Sequence, residues 1–184
     1  MMRKTWMLAG LMTCAALVTG CGSTPPGDGT TLEGVWTGSL DALLAATGVK
    51  LPIAVKPEAD FLFDGGALTI TLKPDSSLLG WLLSVVVDGS YTKDNSTSLD
   101  KTTLFLGEAS VKVLFFKIPL KDLAVTSQCI YKIEALNTLY IFPGYDLLPE
   151  ALRSQLEMHP EVVPWHGGTL DGKVYTPLTL LRAA

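Results

Sequence analysis

The chain has 184 residues, with 14 lysines and arginines against 18 aspartates and glutamates, for a formal net charge of −4. That length suits one domain with a proper core. The acidic balance, without any basic run, gives no electrostatic reason to bind nucleic acid and marks no phosphate-binding or anionic-lipid surface.

The first residues carry an address. Arg3 and Lys4 precede an apolar stretch from Trp6 to Val18, which is too short for a helix that must cross about 30 Å of hydrocarbon. A basic start, an apolar middle and small residues beyond it form the layout of a removable export signal. The segment Leu17-Val18-Thr19-Gly20-Cys21 then resembles the lipobox of bacterial lipoproteins. The resemblance implies cleavage after Gly20, a diacylglyceryl thioether on Cys21, and acylation of the freed Cys21 amine. Two or three acyl chains at about 0.8 kcal/mol per buried CH₂ make such an anchor effectively permanent. Gly22 follows the cysteine, and in a Gram-negative cell the resemblance then implies the outer membrane, facing the periplasm. The competing readings are an ordinary signal peptide that ends beside a cysteine, or an uncleaved anchor.

Residues 1–20 are thus expected to be the signal peptide, 21–31 a lipidated tether, and 32–184 the folded domain. The tether, from Gly22 to Thr31, has no large apolar side chain and is dominated by turn formers. Loss of Arg3 and Lys4 with the signal leaves the mature chain more acidic still. Of three cysteines, Cys14 leaves with the signal and Cys21 takes the lipid, so Cys129 stands alone and no internal disulfide can form. Alternation places Cys129 with Val125, Ser127, Tyr131 and Ile133 on one strand face, where a thiol is a small buried hydrophobe rather than a reactive group.

The mature chain reads mainly as β-strand. Candidate strands run Gly34–Leu40, Ile53–Lys56, Ala59–Phe63, Ala67–Lys73, Trp81–Thr92, Ser98–Leu106, Ser110–Ile118, Ala124–Ile133, Thr138–Phe142 and Val174–Arg182. Leu68, Ile70 and Leu72 alternate with Thr69, Thr71 and Lys73, the period of a half-buried strand. Asp64-Gly65-Gly66 joins that strand to its predecessor as a hairpin. Two helices interrupt the pattern. Ser39 or Asp41 caps a short one ending at Gly48, and Leu148, Leu152 and Leu156 mark a second that Pro160 stops.

Taken together, Leu32-Glu33-Gly34-Val35-Trp36-Thr37-Gly38, Gly89-Ser90-Tyr91-Thr92 with the polar turn after it, and Leu178-Thr179-Leu180-Leu181-Arg182 resemble the lipocalin-like group of exported bacterial domains. The fold implied is an antiparallel β-barrel with one or two short helices, one capping the barrel. The resemblance also implies that Trp36 packs at the barrel base with Arg182 of the last strand stacked on it. Pro177 stands against that closure, because it removes a backbone donor.

Chemistry is sparse. His159 and His166 lie within ten residues of Glu157 and Glu161, but their spacing matches no zinc pattern and Pro160 keeps them off one helical face. Gly167 and Gly172-Lys173 have P-loop spacing, yet Val174 stands where magnesium needs a hydroxyl. No cofactor or metal is expected, and no serine sits in a nucleophile elbow. The reading is a non-catalytic envelope lipoprotein that binds a small apolar or lipid-like ligand. The alternatives are a protein-interaction module with a packed barrel, and a hydrolase or metal-dependent enzyme using the His159/His166 loop. Candidate ligand contacts are Trp81, Leu83, Val85 and Val87, from a stretch apolar on both faces. The Leu148–Leu156 helix is expected to cover the second face of that stretch, either fixed there or as a lid over a lipid tail.

Overall fold

The structure is a computed structural model that describes residues 31–39, 41, 48, 58–72, 83–113 and 116–183, with the backbone alone at Leu83 and Lys121. Its strands are β1 (Gly34–Ser39), β2 (Glu58–Asp64), β3 (Ala67–Leu72), β4 (Leu83–Asp94), β5 (Asp100–Val113), β6 (Phe116–Glu134), β7 (Thr138–Phe142), β8 (Gly168–Leu170), β9 (Lys173–Tyr175) and β10 (Leu178–Arg182), with one helix, α1 (Glu150–Met158). β1 to β7 and β10 close an antiparallel up-and-down barrel in which β10 lies between β7 and β1. This is the lipocalin-like, mainly β architecture expected. Closure leaves no sheet edge to template aggregation over the paired length.

Alternation explains the core. Leu68, Ile70 and Leu72 of β3 are buried while Thr69 and Thr71 are half-buried on the other face. The inward set continues through Trp36, Phe61, Phe63, Val85, Val87, Tyr91, Leu104, Cys129, Tyr131, Leu139, Ile141, Leu178 and Leu180, which form one continuous cluster. Pro177 does not prevent closure, because β10 begins one residue after it. Leu178 pairs with Ile141, and Trp36 pairs with Arg182, so the missing donor falls outside the ladder.

Several boundaries differ from expectation. The expected strand Ser110–Ile118 contains a chain reversal: Val113 pairs with Phe116, a reversal that no Gly, Pro, Asn or Asp in the intervening sequence announces. The expected strands Ser98–Leu106 and Ser110–Ile118 run together as β5 up to Val113, with Gly107 at a bulge between them. Pro177 splits the expected strand Val174–Arg182 into β9 and β10, and β9 pairs with β8 through Asp171-Gly172 as a separate hairpin. The β6–β7 turn places Ala135 and Leu136 at φ 52° and 66°, a left-handed pair normally supplied by Asn-Gly and costly for a side chain such as leucine. The expected strand Ile53–Lys56 and most of the helix before Gly48 lie outside the described residues.

The second expected helix forms as α1, but it covers the barrel's flank rather than an end. Leu148 and Leu156 pack with Leu99, Ile130, Phe142, Tyr145, Val163 and Trp165 in a cluster separate from the lumen core. Ile130 faces outward because its neighbours Cys129 and Tyr131 face inward. The helix therefore rests on the outer faces of β5, β6 and β7. It is not a lid over Leu83–Val87, and the outer face of β4 is not what it buries.

Candidate functional sites

At the lower end of the barrel, where β1 begins and β10 ends, Trp36 is fully buried and its indole Nε1–H donates to the Leu32 carbonyl at 2.8 Å. The Arg182 guanidinium lies 4.4 Å from the indole ring centroid, and its Nη2 donates to the Thr31 carbonyl at 3.1 Å. The expected pair is thus brought together, by direct register between the first and last strands. A cation over an indole contributes about 0.5 to 2 kcal/mol, more as water is excluded.

Beside it stands a network whose members lie almost sixty residues apart. Glu33 accepts from the Tyr91 hydroxyl at 2.5 Å, from Lys93 Nζ at 3.2 Å and from the Gly65 backbone N–H at 3.2 Å. Burial alone would raise the Glu33 pKa, but the hydrogen bonds from Tyr91, Lys93 and Gly65 outweigh it and hold the carboxyl below its ordinary value. Burial, followed by the hydrogen bond to Glu33, pushes the Tyr91 phenol well above its ordinary range. A depressed carboxylate stabilises the fold above its unfolded pKa, and that contribution disappears as pH falls through the folded one. Glu33→Gln should therefore lower the Tm at about pH 7 and change it much less at about pH 3. Thermal unfolding at the two pH values checks this, and an equal loss at both would remove the carboxylate from the account.

At the upper end, β4, β5 and β6 outrun the other strands among the described residues. Val111 pairs with Ile118 and Val113 with Phe116, and residues directly opposite on antiparallel strands share a face. Val111 belongs to the lumen core and Val113 packs against it, so Ile118 and Phe116 extend the inner wall. Yet Phe116 is 72% exposed and Ile118 52%. Of the candidate ligand contacts, Val85 and Val87 face the lumen and are buried in its core. Leu83 opens β4 opposite Val113, and Trp81 lies outside the described residues, as does Cys21. Among the described residues β6 has no strand partner other than β5 along 116–129, and this edge carries Lys117 and Pro119 with a bulge near Ala124 at φ 48°. Lysine, proline and bulges are the means by which exposed edges resist further strand pairing.

On the flank, α1 and the outer faces of β5 and β6 enclose a polar cleft of about 320 Å³ lined by Lys101, Gln128, Tyr145, Glu150, Arg153, Ser154 and Glu157. Glu157 Oε1 takes Lys101 Nζ at 2.6 Å and the Tyr145 hydroxyl at 3.0 Å, and Lys101 lies 5.5 Å from the Tyr145 ring centroid. Hydrogen bonds from Lys101 and Tyr145 lower the Glu157 pKa, whereas burial and then the bond to Glu157 push Tyr145 up to about 12. These contacts tie the C-terminal half of α1 to β5, a pairing that residue spacing in the sequence does not show.

The two histidines take different carboxylates. His159 Nδ1 is 3.1 Å from Glu161, and His166 Nε2 is 3.9 Å from Glu134 while its ring meets Tyr140 edge to face. Both histidines are exposed, and among the described residues no group of three or more histidine, cysteine or acidic side chains is placed to hold a metal. Cys129 is fully buried, and burial pushes its thiol pKa up to about 12, so no thiolate nucleophile is present there at neutral pH. Compared with known proteins, the chain matches no protein-family model and no curated protein.

Proposed function

We propose that this chain is a lipid-anchored lipoprotein of the bacterial cell envelope whose barrel takes a small apolar or lipid-like molecule at its upper end, without catalysing a reaction. The anchor is argued from residues 1–31, with Cys21 as the acylated terminus and the outer membrane, facing the periplasm, as the address in a Gram-negative cell. The ligand reading is carried by one observation: Phe116 and Ile118 continue the apolar lumen wall yet stay exposed. Burying one such side chain against a ligand contributes about 1.5 to 3 kcal/mol, which is ample for a specific site when two or three act together.

A second reading, an interaction module with a packed barrel, is favoured by the lower lumen, where Trp36, Phe61, Phe63 and Leu104 leave almost no exposed surface. Titration with a dansyl-labelled fatty acid separates the two. Saturable fluorescence is expected, and Phe116→Glu or Ile118→Glu should weaken it by about tenfold or more, since 1.4 kcal/mol is a factor of ten. Both positions are exposed, so the variants should keep the wild-type Tm. A folded protein that shows no saturable binding overturns the ligand reading in favour of the interaction module. For the anchor, the intact protein should carry acyl chains on Cys21, and Cys21→Ser should abolish both lipidation and cleavage. A mature terminus at any other residue overturns it.

A further inference from the structure

We infer that the ligand carries an anionic headgroup, and that Lys112 and Lys117 read it at the rim of the upper end. This rests on the upper-end binding reading and adds the charge of the molecule bound. Sequence spacing hides the pair, because no basic run exists. The β5–β6 register places Lys112 directly opposite Lys117, one step from the Val113–Phe116 pair at the hairpin tip and next to Val111–Ile118. Like charges directly opposed across two strands destabilise the pairing, a cost at the tip that an anion would relieve.

Compensation within the protein is one-sided. Lys117 Nζ meets Asp88 Oδ2 at 2.7 Å, with both side chains about half exposed (50% and 43%), and Glu108 adds attraction nearby. Lys112, also exposed, has no ion pair among the described residues. The two lysines stand on the outer face and the apolar wall on the inner, but at a hairpin tip these faces meet along one rim. A lysine's flexible four-carbon stem lets its ammonium reach over such a rim while the stem stays on apolar surface. An amphiphile whose tail lies on Val113, Phe116 and Ile118 would leave its headgroup at that rim. Carboxylate and phosphate share the required chemistry.

Displacement of the dansyl-labelled fatty acid from the full, processed protein tests the inference with one chain length and four headgroups: palmitate, hexadecyl phosphate, hexadecanol and hexadecylamine. Palmitate or hexadecyl phosphate should displace the probe at about one tenth of the hexadecanol concentration, and hexadecylamine should be weakest. Whichever anion is preferred distinguishes a carboxylate from a phosphate ligand. In the double variant Lys112→Gln/Lys117→Gln the preference should collapse towards parity while hexadecanol displacement is unchanged. Equal displacement by acid and alcohol in the wild type, or a preference that survives the double variant, overturns the headgroup inference and leaves the apolar site standing. Failure of every amphiphile, together with failure of the probe, overturns the binding reading itself.

Discussion

Trp36→Ala is expected to destabilise the barrel by about 3 to 5 kcal/mol, the range for removing a large aromatic from a core that relaxes only partly. At this chain length that corresponds to a fall in Tm on the order of 10 °C. Trp36 is fully buried, pairs with Phe61 on one side and Arg182 on the other, and closes its own hydrogen bond to the Leu32 carbonyl. Its deletion therefore removes core volume, the seat of the Arg182 guanidinium and the link to the chain entering β1. Arg182→Met separates these effects. Methionine keeps the aliphatic stem over the indole but loses the cation, so it should cost about 0.5 to 2 kcal/mol. Chemical denaturation of the two variants checks the ranking. A Trp36→Ala loss under about 1 kcal/mol would mean that the lower end is not where the barrel is sealed.

Features set by local chemistry were legible in the sequence. The β2–β3 hairpin announces itself in Asp64-Gly65-Gly66, and the β3 register in Leu68, Ile70 and Leu72, because a one-residue slip would turn those leucines and the isoleucine to solvent. Cys129 was placed correctly by alternation alone, and the Trp36–Arg182 contact by resemblance of the first and last strands. Contacts that depend on register between distant strands were not legible. Glu33, Tyr91 and Lys93 all stand in segments that drew attention, yet nothing in their spacing shows that one carboxylate collects Tyr91, Lys93 and the Gly65 amide. The same holds for Lys112 and Lys117, which are neighbours only because the chain reverses between Val113 and Phe116.

The apolar stretch beginning at Trp81 puts Val85 and Val87 in the lumen core, while Trp81 itself lies outside the described residues. A two-sided apolar strand suggested that one face needed cover, and the helix with Leu148 and Leu156 was the available cover. The helix instead buries its leucines on Ile130 and Phe142, whose outward positions depend on β6 and β7 pairing. The exposed apolar wall then falls on Phe116 and Ile118, residues that would end a single strand if Ser110 to Ile118 ran unbroken. The proposed anchor and the proposed site occupy different parts of the chain. Thr31, where the proposed tether would end, lies at the lower end beside Arg182, while the exposed wall lies at the upper end. A lipid on Cys21 would thus hold the protein by the end opposite the exposed apolar wall.

Gly89→Ala should be the most damaging single-methyl addition in the barrel, at about 1 to 3 kcal/mol or somewhat more. Gly89 lies where the β4–β5 register shifts: Asp88 pairs with Glu108, Gly89 with Leu106, and Gly107 is left over between them. The shift pulls the two backbones together, and a Cβ on Gly89 would sit well inside contact distance of the Phe105 carbonyl oxygen, with the Leu106 Cα also close at 3.3 Å. Backbone atoms cannot swing aside as a side-chain terminus can, so the strain must spread into the ladder that carries Val87 and Tyr91. Gly38 meets the same obstacle at the Thr179 carbonyl, where β1 meets β10. Ser90→Ala is the matched control, because Ser90 is exposed and its substitution should stay within about 0.5 kcal/mol. Thermal unfolding of the pair supplies the measurement. If Gly89→Ala unfolds like Ser90→Ala, the bulge can open freely and the close approach of β4 to β5 is not required by the closed barrel. If it falls well below, the glycine is there because no side chain fits between those two strands.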